Sequence, residues 1–157
     1  NTFNLPEPLI QKEVMTIPGI DGRKMSKDYN NTIPMFADAK TLRKQVMRIV
    51  TDSKRLQDPK NPDVCNVFAI YRYFASPKAI ETKRNLYRNG GLAYSAIKQE
   101  LIEILEDKFG KNRDAYADLM QNHDHLDTIL QQGAEKARAI AMPIMEKVRR
   151  KIGMRRS

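Results

Sequence analysis

LDTILQQGAEKARAIAMPIMEKVRRKI, residues 126–152, is the longest periodic segment of the chain. Its small and apolar residues, Leu126, Leu130, Ala134, Ala137, Ala141, Ile144, Val148 and Ile152, recur in steps of four and three. That spacing lays them along one face of a helix, where such a stripe needs a packing partner over its whole length. The middle of the stripe is small (Gly133, Ala134, Ala137, Ala141), which lets another helix approach closely. Pro143 removes one backbone donor and is expected to bend the helix over the preceding turn. Asn122 to Asp124 offer the N-cap, and His123 and His125 beside it read as solvated residues, because one-apart histidines make a poor metal pattern.

Reading back towards the N-terminus, the helical period persists. Ile97, Leu101, Leu105 and Phe109 line one helix, whose continuation ends at Met120. A shorter helix over roughly 77–88 stops at Asn89-Gly90-Gly91, a glycine-type C-terminal signal. Val64, Val67, Phe68, Tyr71 and Phe74 mark a helix ended by Ser76-Pro77, and Leu42, Val46 and Ile49 mark the first helix. Before residue 36 the texture changes: Pro6, Pro8, Pro18 and Pro34, with Gly19 and Gly22, prevent any helix from persisting. Glu13-Val14-Met15-Thr16-Ile17 reads as a short strand, which needs a sheet that this sequence largely lacks. The expectation is a mainly α chain, with residues 1–35 extended and looped and residues 36–157 an antiparallel helical bundle.

The 157 residues hold 41% hydrophobic and 30% charged side chains, a composition that folds rather than one that stays disordered. No apolar run approaches the roughly 20 residues needed to cross a bilayer. One cysteine, Cys65, excludes an internal disulfide framework and fits a cytoplasmic setting; on its apolar stretch it reads as a small buried residue. The first residue is Asn1, and a chain that opens mid-pattern looks cut from something longer. Twenty-eight Lys and Arg against 19 Asp and Glu leave a net charge of +9, which favours polyanions, nucleic acid above all. Lys111, Arg113 and the cluster from Lys147 to Arg156 are the basic candidates for such contacts.

The chemistry concentrates in PGIDGRKMSKDYNN, residues 18–31. Two glycines and a proline make a loop, and Arg23, Lys24 and Lys27 put three cations within five residues. Ser26 adds a hydroxyl and backbone donors at a turn into helix. Cations, a hydroxyl and free N–H groups suit a polyphosphate whose charge changes during reaction, although a solvated basic loop would carry the same residues. The spacing of a Walker loop is absent.

Lys24-Met25-Ser26-Lys27 resembles the signature loop of class I aminoacyl-tRNA synthetases, whose consensus is Lys-Met-Ser-Lys-Ser. Leu5-Pro6-Glu7-Pro8-Leu9-Ile10 upstream, Pro18 to Arg23 leading in, and Tyr29 with Asn31-Thr32-Ile33 leading out resemble the tryptophanyl branch of that class. The likeness continues through Thr51-Asp52-Ser53, Asn61-Pro62-Asp63, Tyr87 with Gly90-Gly91 and Tyr94, and Leu130 to Ala137, and so covers about residues 3 to 152.

That resemblance implies a tryptophan–tRNA ligase, in which ATP activates tryptophan as an adenylate and the tRNA 3′ end then takes the acyl group. It implies that Lys24, Ser26 and Lys27 act in catalysis on the departing pyrophosphate. Val14, Lys24, Met25, Ser26, Lys27 and Asp28 would lie along bound ATP, with Val14 on the adenine and Mg2+ accompanying the nucleotide. The Ser26 backbone N–H and hydroxyl would hold a phosphate oxygen. No metal-ligating residue is expected in this chain. The fifth signature position is Asp28 instead of Ser, and its expected role is to cap the helix that follows. Residues 1–35 would be the end of a Rossmann-type catalytic domain and 36–157 the domain that meets the anticodon region of tRNA(Trp). The tryptophan pocket and the family's His-Ile-Gly-His signature would lie upstream. The whole enzyme would be a homodimer, and these residues alone a monomer without activity. A non-enzymatic basic helical RNA-binding module, or a synthetase paralogue without charging activity, are the rival readings.

Overall fold

The computed structural model describes residues 2–10 and 16–154. Five α-helices follow one another: α1 (Ala39–Met47), α2 (Asn66–Tyr71), α3 (Pro77–Asn89), α4 (Tyr94–Gln121) and α5 (His123–Lys151). No strand forms among the described residues, and one isolated antiparallel bridge joins Pro18 to Lys24. Of the strand expected over 13–17, residues 13–15 lie outside the described residues, and Val14 with them. The chain divides into two compact units, Gln11–Ala115 and Asn1–Ile10 with Tyr116–Ser157.

The first of these units holds the core. Leu42 and Val46 on α1, Val67, Phe68, Ile70 and Tyr71 on α2, Tyr87 on α3, and Ile97, Leu101 and Leu105 on α4 are all buried. The stripes legible in the sequence on α1, α2 and α4 are therefore interior faces, whereas the long stripe expected to pack over 126–152 has no buried residue. The starts of the helices follow local chemistry. Asp38 caps α1 by accepting from the Thr41 N–H at 2.9 Å, and Ser76 caps α3 from the Ala79 N–H at 3.3 Å with Pro77 as first residue.

Two boundaries differ from the sequence reading. Ile49 is buried but lies beyond α1, because the chain turns at Arg48 and bonds the Ile49 N–H back to the Val46 carbonyl at 3.1 Å. Val64 is no part of a helical core face: it sits in a one-turn 3-10 helix, Pro62–Val64, and is 76% exposed. Cys65 then takes an extended conformation, so α2 starts only at Asn66 and ends at Tyr71 in i→i+3 bonds to Tyr73 and Phe74. Cys65 itself is buried, its Sγ 3.3 Å from the Tyr87 hydroxyl.

Two lysines enter this interior. The Lys98 ammonium on α4 donates to the carbonyls of Met47 (3.0 Å) and Ile49 (2.7 Å), which the end of α1 leaves without helical partners. The Lys60 ammonium donates to the carbonyls of Arg55, Leu56 and Asp58 at 2.6, 3.2 and 3.1 Å and so folds the 55–60 loop around itself. Burial lowers the pKa of Lys98 below the ordinary lysine value. A third polar tie links three helices: Glu100 on α4 accepts from the Tyr71 hydroxyl of α2 at 2.5 Å and from Lys83 of α3 at 2.6 Å.

In the second unit α5 starts as expected, with the Asn122 side chain accepting from the His125 N–H at 3.2 Å and both histidines exposed. It runs without interruption through Pro143. None of its residues is buried, and Leu130 is 60% exposed. Arg149, Arg150 and Lys151 occupy its last turn, where the helix dipole favours cations.

The contrast gives a stability prediction. Leu101→Ala removes a side chain with no exposure and is expected to cost about 2–5 kcal/mol in urea denaturation. Leu130→Ala is expected to change stability by no more than about 0.5 kcal/mol. Equal losses at the two positions would contradict this division of the core.

Candidate functional site

The segment from Ile17 to Asn31 is a hairpin followed by a one-turn helix. The Gly19 N–H bonds to the Arg23 carbonyl (2.7 Å), the Met25 N–H to the Ile17 carbonyl (2.8 Å), and the Gly22 N–H to the Gly19 carbonyl (3.0 Å). Gly22 stands at φ +84°, the left-handed position that a three-residue hairpin loop requires. A Cβ there would also meet the Asn66 side chain at 2.6 Å. After the hairpin, Ser26 is extended and caps the 3-10 helix Lys27–Tyr29, its Oγ accepting from the Asp28 N–H at 3.2 Å. Asn30, left-handed at φ 50°, closes the turn.

The segment is seated on the helical core. Ile20 and Ile33 are buried in the same cluster as Leu42 and Val46, and Met25 packs against that cluster half-buried. The Val50 N–H, just past α1, donates to the Ile20 carbonyl at 2.8 Å. Asn66, first residue of α2, donates to the Val50 carbonyl at 3.1 Å and lies against Gly22.

The three cations of the loop have different fates. Arg23 is engaged: its guanidinium pairs with Asp21 at 2.7 Å and lies over the Tyr29 ring, 4.6 Å from the centroid. Lys24 and Lys27 are exposed, and neither ammonium has an ion pair or hydrogen bond among the described residues. Two unpaired positive charges thus flank the Ser26 hydroxyl, which accepts one bond and keeps its own proton to donate. Asp28 is exposed in the first turn of the small helix; the cap expected of it is made by Ser26, one hydrogen-bonding step earlier in the chain.

The residue that organises this arrangement was not singled out from the sequence. Asn31 is 1% exposed. Its Oδ1 accepts from the Ser26 N–H at 2.8 Å, and its Nδ2 donates to Asp21 Oδ1 at 2.8 Å and to the Lys24 carbonyl at 3.1 Å. Its own carbonyl accepts from the Ile20 N–H at 2.9 Å. The hydrogen bond from Asn31, helped by Arg23, holds the Asp21 carboxyl below the usual carboxylate range. The Ser26 N–H is accordingly occupied within the chain, contrary to its expected availability to a ligand. Two adjacent asparagines look alike in a sequence, and only packing separates exposed Asn30 from buried Asn31.

Among the basic candidates elsewhere, Arg113 is paired with Glu106 at 2.8 Å with its side chain 14% exposed. Lys111, Lys147, Arg150 and Lys151 are exposed; Arg155 and Arg156 lie outside the described residues. Among the described residues no group of three or more His, Cys, Asp or Glu side chains is placed to hold a metal ion. No helix among them is long and apolar enough to cross a membrane.

A family model described as tRNA synthetases class I (W and Y) matches residues 1–110. A tryptophan–tRNA ligase of Rhodopirellula baltica is 42% identical over 154 residues, which are 98% of this chain and 48% of that one. One from Pseudomonas aeruginosa is 42% identical over 153 residues, 98% of this chain and 34% of its own length. The structure of Campylobacter jejuni tryptophanyl-tRNA synthetase complexed with ADP and tryptophan superposes with a TM-score of 0.82 at 42% identity, covering 97% of this chain and 48% of that one. The chain therefore spans about half the length, or less, of these relatives.

The hairpin turn supplies a local test. Gly22→Ala forces a Cβ into a left-handed position and against Asn66, and is expected to cost about 1–2 kcal/mol by denaturation. An unchanged midpoint would mean that the hairpin is not held in this form.

Proposed function

The chain belongs to the tryptophanyl-tRNA synthetases, within the class I (W and Y) tRNA synthetases, and on that premise we propose that it serves an enzyme that joins tryptophan to tRNA(Trp) with ATP. In the first step a carboxylate oxygen of tryptophan attacks the α-phosphorus, the bond to the bridging oxygen breaks, and pyrophosphate leaves. In the second, a hydroxyl of the tRNA 3′ end takes the acyl group and AMP departs. The residues offered here act on the leaving side of the first step. Lys24 and Lys27 neutralise charge that grows on the pyrophosphate in the transition state, and the Ser26 hydroxyl donates to a phosphate oxygen. The observation that carries the reading is the pair of ammonium groups on either side of Ser26, neither paired among the described residues, on a hairpin whose third cation is already neutralised by Asp21.

Met25 and Asp28 lie along the same loop, and Val14 is assigned to the adenine by family likeness alone. Mg2+ would come with the nucleotide, held by phosphate oxygens and water, since the described residues assemble no carboxylate cage; its chemistry there would be to screen phosphate charge. Residues 1–35 are the end of a Rossmann-type catalytic domain. Leu5 and Leu9, 93% and 92% exposed, are the kind of side chain that such a domain covers. Residues 36–157 are the tRNA-binding part, an antiparallel helical bundle in the whole enzyme, with exposed Lys111 and the cations at the end of α5 facing phosphates. The whole enzyme is a cytoplasmic homodimer.

The decisive test is tryptophan-dependent ATP–pyrophosphate exchange by the enzyme carrying these residues. Lys27→Ala is expected to lower the rate at least tenfold, about 1.4 kcal/mol of transition-state stabilisation; the 157 residues alone are expected to show no exchange. An enzyme inactive with tryptophan, or indifferent to the loss of Lys27, overturns the reading. Asp28→Ser probes the carboxylate that stands where the consensus has a hydroxyl. A like charge about 4 Å from a phosphate in water costs about 1 kcal/mol, so use of ATP is expected to improve up to roughly fivefold. Unchanged ATP kinetics would show that Asp28 imposes no penalty.

A further inference from the structure

We propose that Asn31 is the positioning residue of the Lys24–Lys27 loop, and that it confines the loop's phosphate contacts to side chains by keeping the Ser26 N–H for itself. The proposal rests on the function proposed above and names how that site is held in shape.

A carboxamide carries two donors and a carbonyl oxygen. In Asn31 both donors and the oxygen are engaged, across sequence separations of 5, 7 and 10 residues. The orientation of the amide group is dictated by its partners: the Ser26 N–H needs an acceptor, whereas the Lys24 carbonyl and the Asp21 carboxylate need donors. Lys24 and Ser26 flank Met25, so holding the carbonyl of one and the N–H of the other fixes the backbone on both sides of that residue. Ser26 in turn caps the turn that begins at Lys27. One buried side chain thereby sets the directions from which Lys24, Ser26 and Lys27 depart.

Gly19 supports the same conclusion independently. A Cβ at Gly19 would collide with the Asn31 side chain and its backbone carbonyl, so the hairpin has left room for this carboxamide. No replacement retains all the bonds. Alanine leaves the Ser26 N–H and the Lys24 carbonyl, both partly shielded from water, without their partner. Aspartate keeps an acceptor for Ser26 but turns both donors into acceptors facing Asp21 and the Lys24 carbonyl.

Because misplacement of a catalytic group by about 1 Å can cost roughly a hundredfold in rate, the expected signature is kinetic. In the full-length enzyme, Asn31→Ala is expected to lower kcat for ATP–pyrophosphate exchange about 10- to 100-fold, with the KM for tryptophan within about twofold of the parent. Leu101→Ala, which weakens the core away from the loop, serves as the stability control and is expected to leave kcat unchanged at temperatures where it stays folded. Asn31→Asp is expected to be impaired at pH 8 and to recover relative to the parent as the pH falls, because two facing carboxyls then share a proton and one can donate again. Amide hydrogen exchange reads the contact directly: the Ser26 N–H is expected to be protected in the parent and exposed in Asn31→Ala. Inorganic pyrophosphate is the probe that separates this proposal from the one it rests on. If the parent does not exchange with tryptophan but pyrophosphate binding weakens at least fivefold in both Lys27→Ala and Asn31→Ala, the substrate assignment fails and the positioning role stands. An unprotected Ser26 N–H in the parent overturns the positioning role. So does parent-like kcat and pyrophosphate binding in Asn31→Ala, or a loss that Leu101→Ala reproduces.

Discussion

The bond from the Val50 N–H to the Ile20 carbonyl, made where α1 has ended and the hairpin turns, joins the cationic hairpin to the helical core. Around it Ile20 and Ile33 enter the cluster built by Leu42, Val46 and the stripes of α2 and α4. The loop is therefore not an appendage of the helical core but one of its edges. Asn66 completes the junction, reaching Val50 through its amide and lying against Gly22. With the turn seated this way, the arm from Lys24 to Lys27 is left at the surface while its backbone remains held from beneath.

Positive charge is used in two opposite ways. Lys60 and Lys98 are 3% and 8% exposed, and each ammonium donates to two or three backbone carbonyls, those of Met47 and Ile49 at the end of α1 among them. Carbonyl dipoles offset part of the desolvation of a buried cation, and the cation in return satisfies acceptors at a helix end and a tight loop. Lys24 and Lys27 are the reverse case: among the described residues nothing neutralises them. Asp21 neutralises Arg23 alone, and Asn31 holds that carboxylate in place. Exposed cations on a held backbone suit the leaving group of the proposed reaction, because their favourable interaction grows as its charge develops.

Much of this was legible from residues. Leu42 with Val46, Val67 with Phe68, and Ile97, Leu101 and Leu105 stood at helical spacing and are buried; the stops at Gly90 and the start at Asn122 followed from their local chemistry. The Lys-Met-Ser-Lys order pointed to the segment where the unpaired cations are found. Val64 misled because an apolar residue at the right spacing still depends on where the helix begins, and extended Cys65 places that start after it. Asp28 misled because a serine two residues earlier reached its N–H first.

By itself, then, the sequence determined the helices, the apolar faces of α1, α2 and α4, the family and the position of the cationic loop, since each of these rests on spacing or on residue order within a few turns of chain. Only the tertiary structure decided which of three loop cations is neutralised, which of two asparagines is buried, and that Lys60 and Lys98 point inward. Those outcomes depend on partners between 2 and 51 residues away, brought together by the turn of the hairpin and the packing of the helices. Hydrogen bonds act over about 3 Å in space whatever the distance along the chain.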